Sequence, residues 1–238
     1  MHSIQPLSEG STTQLATNYQ QIRSAIARCA QDCQRDVNSI TLLAVSKTRE
    51  APEVAALYQA GARHFGENYL QDALPKISAL HTSCPAIVWH FIGAIQSNKT
   101  STIATHFDWV HTVDRAKIAT RLSAARPPAL SPLNVCVQVN LHDEPQKAGV
   151  SLTELPELLA TIGKLPRLAL RGLMILPAKN VDPAAAFQRL AEVFKEHADI
   201  EAGLWDTLSM GMSNDYPAAI AQGSTMVRIG TALFGPRP

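Results

Sequence analysis

An α/β barrel of eight strand and helix pairs is the fold this sequence predicts. Apolar runs of strand length alternate with helical segments eight times along 238 residues, a length typical of one such barrel. Hydrophobic residues make up 46% of the chain, enough to bury a parallel sheet on both faces within a single domain. No G-x-G-x-x-G follows any strand, which removes the main support for an open dinucleotide-binding sheet.

Residues 1–11 read as a flexible polar tail and 12–238 as the barrel domain. From Thr13 to Cys33, Leu15, Tyr19, Ile22, Ile26 and Cys33 recur at helical spacing, predicting an amphipathic helix ahead of the first strand. Ile40 to Thr48, I-T-L-L-A-V-S-K-T, is the first strand, and Pro52 and Gly61 bracket its helix. R-H-F-G-E precedes a helix from Asn68 toward Leu80, and I-V-W-H-F-I-G precedes one from about Ser97 to His106. D-W-V-H-T-V leads to a helix over Arg115 to Ala125. The Pro-rich R-P-P-A-L-S-P-L is a connection into the strand N-V-C-V-Q-V-N-L rather than a domain boundary. Ser151 and Glu154 form a capping box for the next helix, L-A-L-R-G-L-M-I-L is the sixth strand, and Asp182 to Ala198 its helix. D-T-L-S-M precedes a helix from Asn214 to Gln222, and M-V-R-I-G ends the barrel before T-A-L-F-G.

Composition excludes several classes of function. With a net charge of +1 and its 21 basic residues dispersed, the chain lacks a phosphate-backbone footprint, so nucleic acid is not an expected partner. The first residues show neither a basic nor an apolar segment of a secretory signal, and Leu168 to Leu176 is too short to span a bilayer. Cys29, Cys33, Cys84 and Cys136 form no C-x-x-C pair and no zinc spacing, so reduced thiols, a cytoplasmic location and no metal are expected.

Lys47 is the first candidate for chemistry, an amine at the carboxyl end of a buried strand, where ligands of α/β barrels sit. By itself it also fits a solvated strand-end lysine. The loops after the seventh and eighth strands, where such barrels often bind phosphate, carry S-M-G-M-S-N-D with Gly211 and Ser213, then Gly230 with Thr231. Two ordinary helix caps would read the same way. Closure of the barrel brings strand eight beside strand one and so sets these loops next to Lys47. An amine beside a phosphate cup suits an imine with a phosphorylated aldehyde: pyridoxal 5'-phosphate, or a sugar phosphate in a Schiff-base aldolase. Arg228 shares a strand face with Gly230 and points toward the mouth, where it suits a pyridine nitrogen, or else a structural ion pair.

The motifs A-V-S-K-T, F-G-E-N-Y, W-H-F-I-G-x-x-Q-S-N-K, L-R-G-L-M, L-S-M-G-M-S-N-D and S-T-M-V-R-I-G-T-A-L-F-G resemble those of the pyridoxal phosphate homeostasis proteins, from Ile22 to Gly235. The resemblance implies a monomeric barrel similar to the N-terminal domain of alanine racemase, the third fold type of pyridoxal phosphate proteins. It implies a cofactor carrier in vitamin B6 homeostasis, with apoenzymes or amino acids as partners, rather than a catalyst. Carried over by motif, Lys47 is the Schiff-base lysine, Ser213, Gly230 and Thr231 the phosphate cup, and Arg228 the pyridine contact. Asn68, His90, Met210 and Met212 line the cofactor site, though a core histidine and core methionines fit the last three equally. Ile95 replaces a leucine, and P-Q-K-A-G-V lacks the serines that flank this position in the family, so Lys147 reads as a loop lysine. A racemase is the alternative, but it requires an acid/base on each face of the substrate. The racemase takes its second group from a partner's extra domain, for which this chain has no room; Tyr69 or His90 is the substitute available.

Overall fold

The computed structural model describes residues 7–141, 148–178, 180–200 and 204–236. Its centre is a closed barrel of eight parallel strands in sequence order. The strands are β1 Thr41–Val45, β2 His64–Glu67, β3 Val88–Phe91, β4 Trp109–Val113, β5 Leu133–Gln138, β6 Leu168–Met174, β7 Thr207–Ser209 and β8 Met226–Ile229. Between them run α2 Ala51–Gln59, α3 Leu70–Leu80, α4 Thr100–His106, α5 Ala116–Ala125, α6 Leu155–Gly163, α7 Pro183–Glu196 and α8 Tyr216–Ala221, with α9 Thr231–Phe234 after β8. The predicted barrel is therefore the observed one. β1 closes on β8 with Leu43 opposite Arg228 and Ala44 opposite Ile229.

Several helix starts differ from their expected positions: α3 begins at Leu70 rather than Asn68 and α4 at Thr100 rather than Ser97, and the first helix and the helix after β7 differ for identifiable reasons. The first helix, α1 Glu9–Asp32, begins four residues before Thr13 because the Ser8 hydroxyl accepts from the Ser11 amide. Residues 8–11, read above as tail, belong to this capped first turn. Leu15, Tyr19, Ile26 and Ala30 are its buried stripe, packed across α2, α8 and α9. The helix after β7 starts at Tyr216, not Asn214, because Asp215 turns back to accept the Met212 amide at 2.6 Å. That places Ser213 in a turn ahead of the helix.

The main core lies between the strands and the helices, where Phe65, Phe107 and Phe187 are fully buried. The barrel interior holds a smaller apolar layer of Trp109, Cys136 and Met174. That interior also holds buried polar side chains, among them His90, His111, Ser209 and Arg228. The Pro-rich connection is fastened to the domain, since buried Arg126 donates to the carbonyls of Ser131, Ala104 and Phe107 at 2.7–2.8 Å. Among the described residues, no helix is long and apolar enough to cross a membrane.

Candidate functional site

The upper rim of the barrel, at the carboxyl ends of the strands, collects most of the predicted residues on one half. Lys47 follows β1 and Asn68 follows β2, while Ser213 follows β7 and Gly230 and Thr231 follow β8. In barrel order these strands are consecutive neighbours. Arg228 donates its amide to the Gly211 carbonyl at 2.9 Å, which joins the β7 loop to β8. Gly211 has a φ of +93°, and a Cβ there would lie 2.6 Å from that of Ala219, so the turn needs glycine. Across the seam, a Cβ at Gly230 would lie 3.4 Å from the Val45 carbonyl, two residues before Lys47. Arg49 adds a second tie, donating to the Gly235 carbonyl at 2.7 Å.

The residue before the amine is anchored on every side. Ser46 is fully buried, and its amide donates to the Gly66 carbonyl. Its hydroxyl donates to Glu67 Oε1 at 2.5 Å, and its carbonyl accepts from Lys76 Nζ at 2.8 Å. Lys76 also pairs with Glu67 at 2.6 Å, an ion pair buried between barrel and helix. Burial pushes the Glu67 carboxyl up while Lys76 and Ser46 pull it down. Lys47 itself is half-buried, and the next residue, Thr48, is held at a φ of +63°, an uncommon conformation for a β-branched residue.

Sequence reasoning missed Lys76 and Glu67 as a pair. The signal is visible along α3, where Ala73, Lys76 and Leu80 share the buried stripe, so a lysine occupies a core position. A core lysine requires an anion.

Arg228 is 4% exposed, on β8 at the level of Leu43. It donates to Ser209 Oγ and to the Ile175 carbonyl, each at 2.8 Å. Among the described residues no carboxylate lies within ion-pair distance of it. Burial draws its pKa down to about 10, so it keeps its charge at neutral pH. A buried cation held by neutral acceptors fits an electron-rich ligand atom.

The remaining predicted residues divide. Asn68 is half-buried, and its Oδ1 is buried with no hydrogen-bond partner, an orphan aimed away from solvent. Its backbone is fixed by Gly93, where a Cβ would sit 2.0 Å from the Asn68 carbonyl oxygen. His90 lies inside the barrel, stacked on Trp109 with ring centroids 5.4 Å apart and bonded to His64 and His111. Met210 is fully buried in the main core, and Met212 is exposed on the turn before Ser213. Gly230 is half-buried and Thr231 exposed. Lys147 lies outside the described residues.

These residues fit a phosphorylated pyridine aldehyde. The rim offers an amine at Lys47, a buried guanidinium at Arg228 and an unpartnered amide oxygen at Asn68. Among the described residues no group of three or more His, Cys, Asp or Glu is arranged to hold a metal.

The model for "Alanine racemase, N-terminal domain" matches residues 12–238. A pyridoxal phosphate homeostasis protein of Pseudomonas aeruginosa is 52% identical over 226 residues, covering 94% of this chain and 96% of its own. The protein of that name from Escherichia coli K12 is 50% identical over 230 residues, covering 94% of this chain and 97% of its own. The structure of PipY from Synechococcus elongatus with pyridoxal phosphate bound superposes with a TM-score of 0.78 at 36% identity, covering 93% of this chain and all of that one. The chain belongs to the pyridoxal phosphate homeostasis protein family, on the barrel of the alanine racemase N-terminal domain.

Proposed function

We propose that this protein binds pyridoxal 5'-phosphate as a Schiff base on Lys47 and serves vitamin B6 homeostasis as a cytoplasmic, monomeric carrier rather than a catalyst. The observation that carries the reading is the β1–β8 seam, which sets Gly230 against Val45, two residues before the Lys47 amine. When bound, the cofactor supplies an electrophilic aldehyde and an electron-withdrawing ring. Lys47 gives its amine to the aldehyde carbon with loss of water, and the loops of Ser213 and of Gly230–Thr231 hold the phosphate. Asn68 Oδ1 faces the same ligand, and Arg228 donates to the pyridine nitrogen. A guanidinium that stays charged discourages protonation of that nitrogen, which weakens the ring as an electron sink and favours storage over turnover. The four free cysteines agree with a reducing compartment. Apoenzymes lacking cofactor, and free amino acids, are the recipients this chemistry allows.

Racemisation needs a proton carrier on each face of the substrate. Lys47 serves one face, both nitrogens of His90 are engaged inside the barrel, and Tyr69, exposed just before α3, is the remaining candidate for the other face. Amino acids incubated in heavy water with the loaded protein are expected to show negligible α-deuterium by NMR. Rapid exchange with inversion, lost in Lys47→Ala, would establish an enzyme.

A further inference from the structure

A continuous line of hydrogen bonds crosses the barrel interior and ends on Arg228. Arg228 donates to Ser209 Oγ at 2.8 Å, Ser209 Oγ meets His111 Nδ1 at 2.8 Å, and His111 Nε2 meets His90 Nδ1 at 2.9 Å. His90 Nε2 then meets His64 Nδ1 at 3.0 Å. His64 opens at the far end of the barrel into a pocket lined by Tyr19, Arg23, Asn38 and Arg63. The line therefore runs from one mouth to the other.

Its protons have one consistent placement. A guanidinium can only donate, so Ser209 Oγ accepts from Arg228. Ser209 is fully buried, and among the described residues its hydroxyl meets only Arg228 and His111. Its own proton must go to His111 Nδ1, because the alternative strands a buried hydroxyl proton without an acceptor. His111 is then neutral with its proton on Nε2, which it donates to His90 Nδ1. His90 in turn donates Nε2–H to His64 Nδ1, and His64 presents Nε2–H to the lower pocket. Burial holds His90 and His111 well below the ordinary histidine range, and the neighbouring Arg228 charge adds to this at His111. Around His64 stand Tyr19 and Arg23 of α1, Arg63 beside it and His90 behind it, with no carboxylate lining the pocket. Nothing there favours a charged ring, so the whole line is neutral apart from its guanidinium.

We propose that Ser209, His111, His90 and His64 are positioning residues for Arg228, a one-way hydrogen-bonded relay of three Nε2–H imidazoles that ties the guanidinium at the cofactor rim to the opposite mouth. The relay keeps the Ser209 lone pair turned to Arg228, and with the Ile175 carbonyl it fixes the plane from which the guanidinium meets the ring nitrogen. Its role toward that nitrogen rests on the cofactor reading above; its tautomers do not.

Long-range nitrogen–proton NMR of the imidazoles in cofactor-free protein reads the tautomers directly. The expected result is Nε2–H at His64, His90 and His111; Nδ1–H or a charged ring at His90 or His111 near neutral pH overturns the relay. His64→Phe removes the last acceptor but leaves the Ser209 proton that sets the direction, so the tautomers of His90 and His111 are expected to stay in place, whereas Ser209→Ala removes that proton and is expected to mix them. Unmoved tautomers in folded Ser209→Ala overturn the relay. Ser209→Ala is also expected to weaken pyridoxal phosphate binding by about threefold to tenfold and Ser209→Thr to leave it near the parent value. Equal affinity in Ser209→Ala and the parent refutes the positioning role. A parent protein that binds no cofactor refutes the proposed function instead, and the NMR still decides the relay.

Discussion

Lys47 is useful because of what its neighbours do to the backbone beneath it. Ser46 is tied through its amide, hydroxyl and carbonyl, so the strand end has little freedom to swing, and the ion pair of Lys76 with Glu67 is the keystone. Removing one charge of a buried pair leaves the other uncompensated, so Lys76→Met is expected to cost about 3–5 kcal/mol in urea unfolding. Lys76→Met combined with Glu67→Leu should recover most of it; a single variant as stable as the parent would show the pair to be idle. For Lys47→Ala we expect no imine absorbance but measurable cofactor binding by calorimetry, because Arg228 and the phosphate loops remain. Complete loss of binding in folded protein would mean the covalent bond carries the affinity. The motif around Lys47 was legible from sequence. The partner of Lys76 was not, because its place on the buried stripe of α3 shows that it needs an anion but not that Glu67 supplies it.

At the scale of elements, the eight strands were readable because fully buried parallel strands appear as short apolar runs punctuated by Gly and Pro. Helix starts were less legible, since they depend on where one side chain turns back, as Ser8 and Asp215 do. His90 illustrates a deeper limit. Its motif marks it as a site residue, but the pleat of β3 sends it into the barrel, where it reaches Arg228 through His111 and Ser209. The loop after β2 depends on close approach to Gly93, so Gly93→Ala is expected to displace Asn68, lower stability by about 2–4 kcal/mol and reduce cofactor loading. Unchanged melting and loading would show that the loop moves aside without cost.

For the whole molecule, closure is what makes a site from residues separated by most of the chain, and the adjacency of β1 and β8, though not their register, followed from the strand count. The polar interior did not, because strands buried on both faces do not reveal which of their side chains, among them His90, His111 and Ser209, line the barrel. It also sets the response to acid. Folding lowers the pKa of His111 to about 3 and that of His90 in the same direction, so above about pH 6.5 their contribution to stability is complete. As pH falls below that value the unfolded chain takes up protons the folded one refuses, and stability drops by about 1.4 kcal/mol per pH unit for each ring. Urea midpoints compared at about pH 7.5 and about pH 5.5 should show this fall, reduced in His111→Gln. A fall of the same size in that variant would assign the acid sensitivity elsewhere.

The central claim is the bond between Lys47 and pyridoxal phosphate. Borohydride treatment of the cofactor-loaded protein, followed by peptide mass spectrometry, tests it most directly. A phosphopyridoxyl group fixed on Lys47, with loss of the visible absorbance, is the predicted result; label on another lysine, or none in protein that has taken up cofactor, would contradict it.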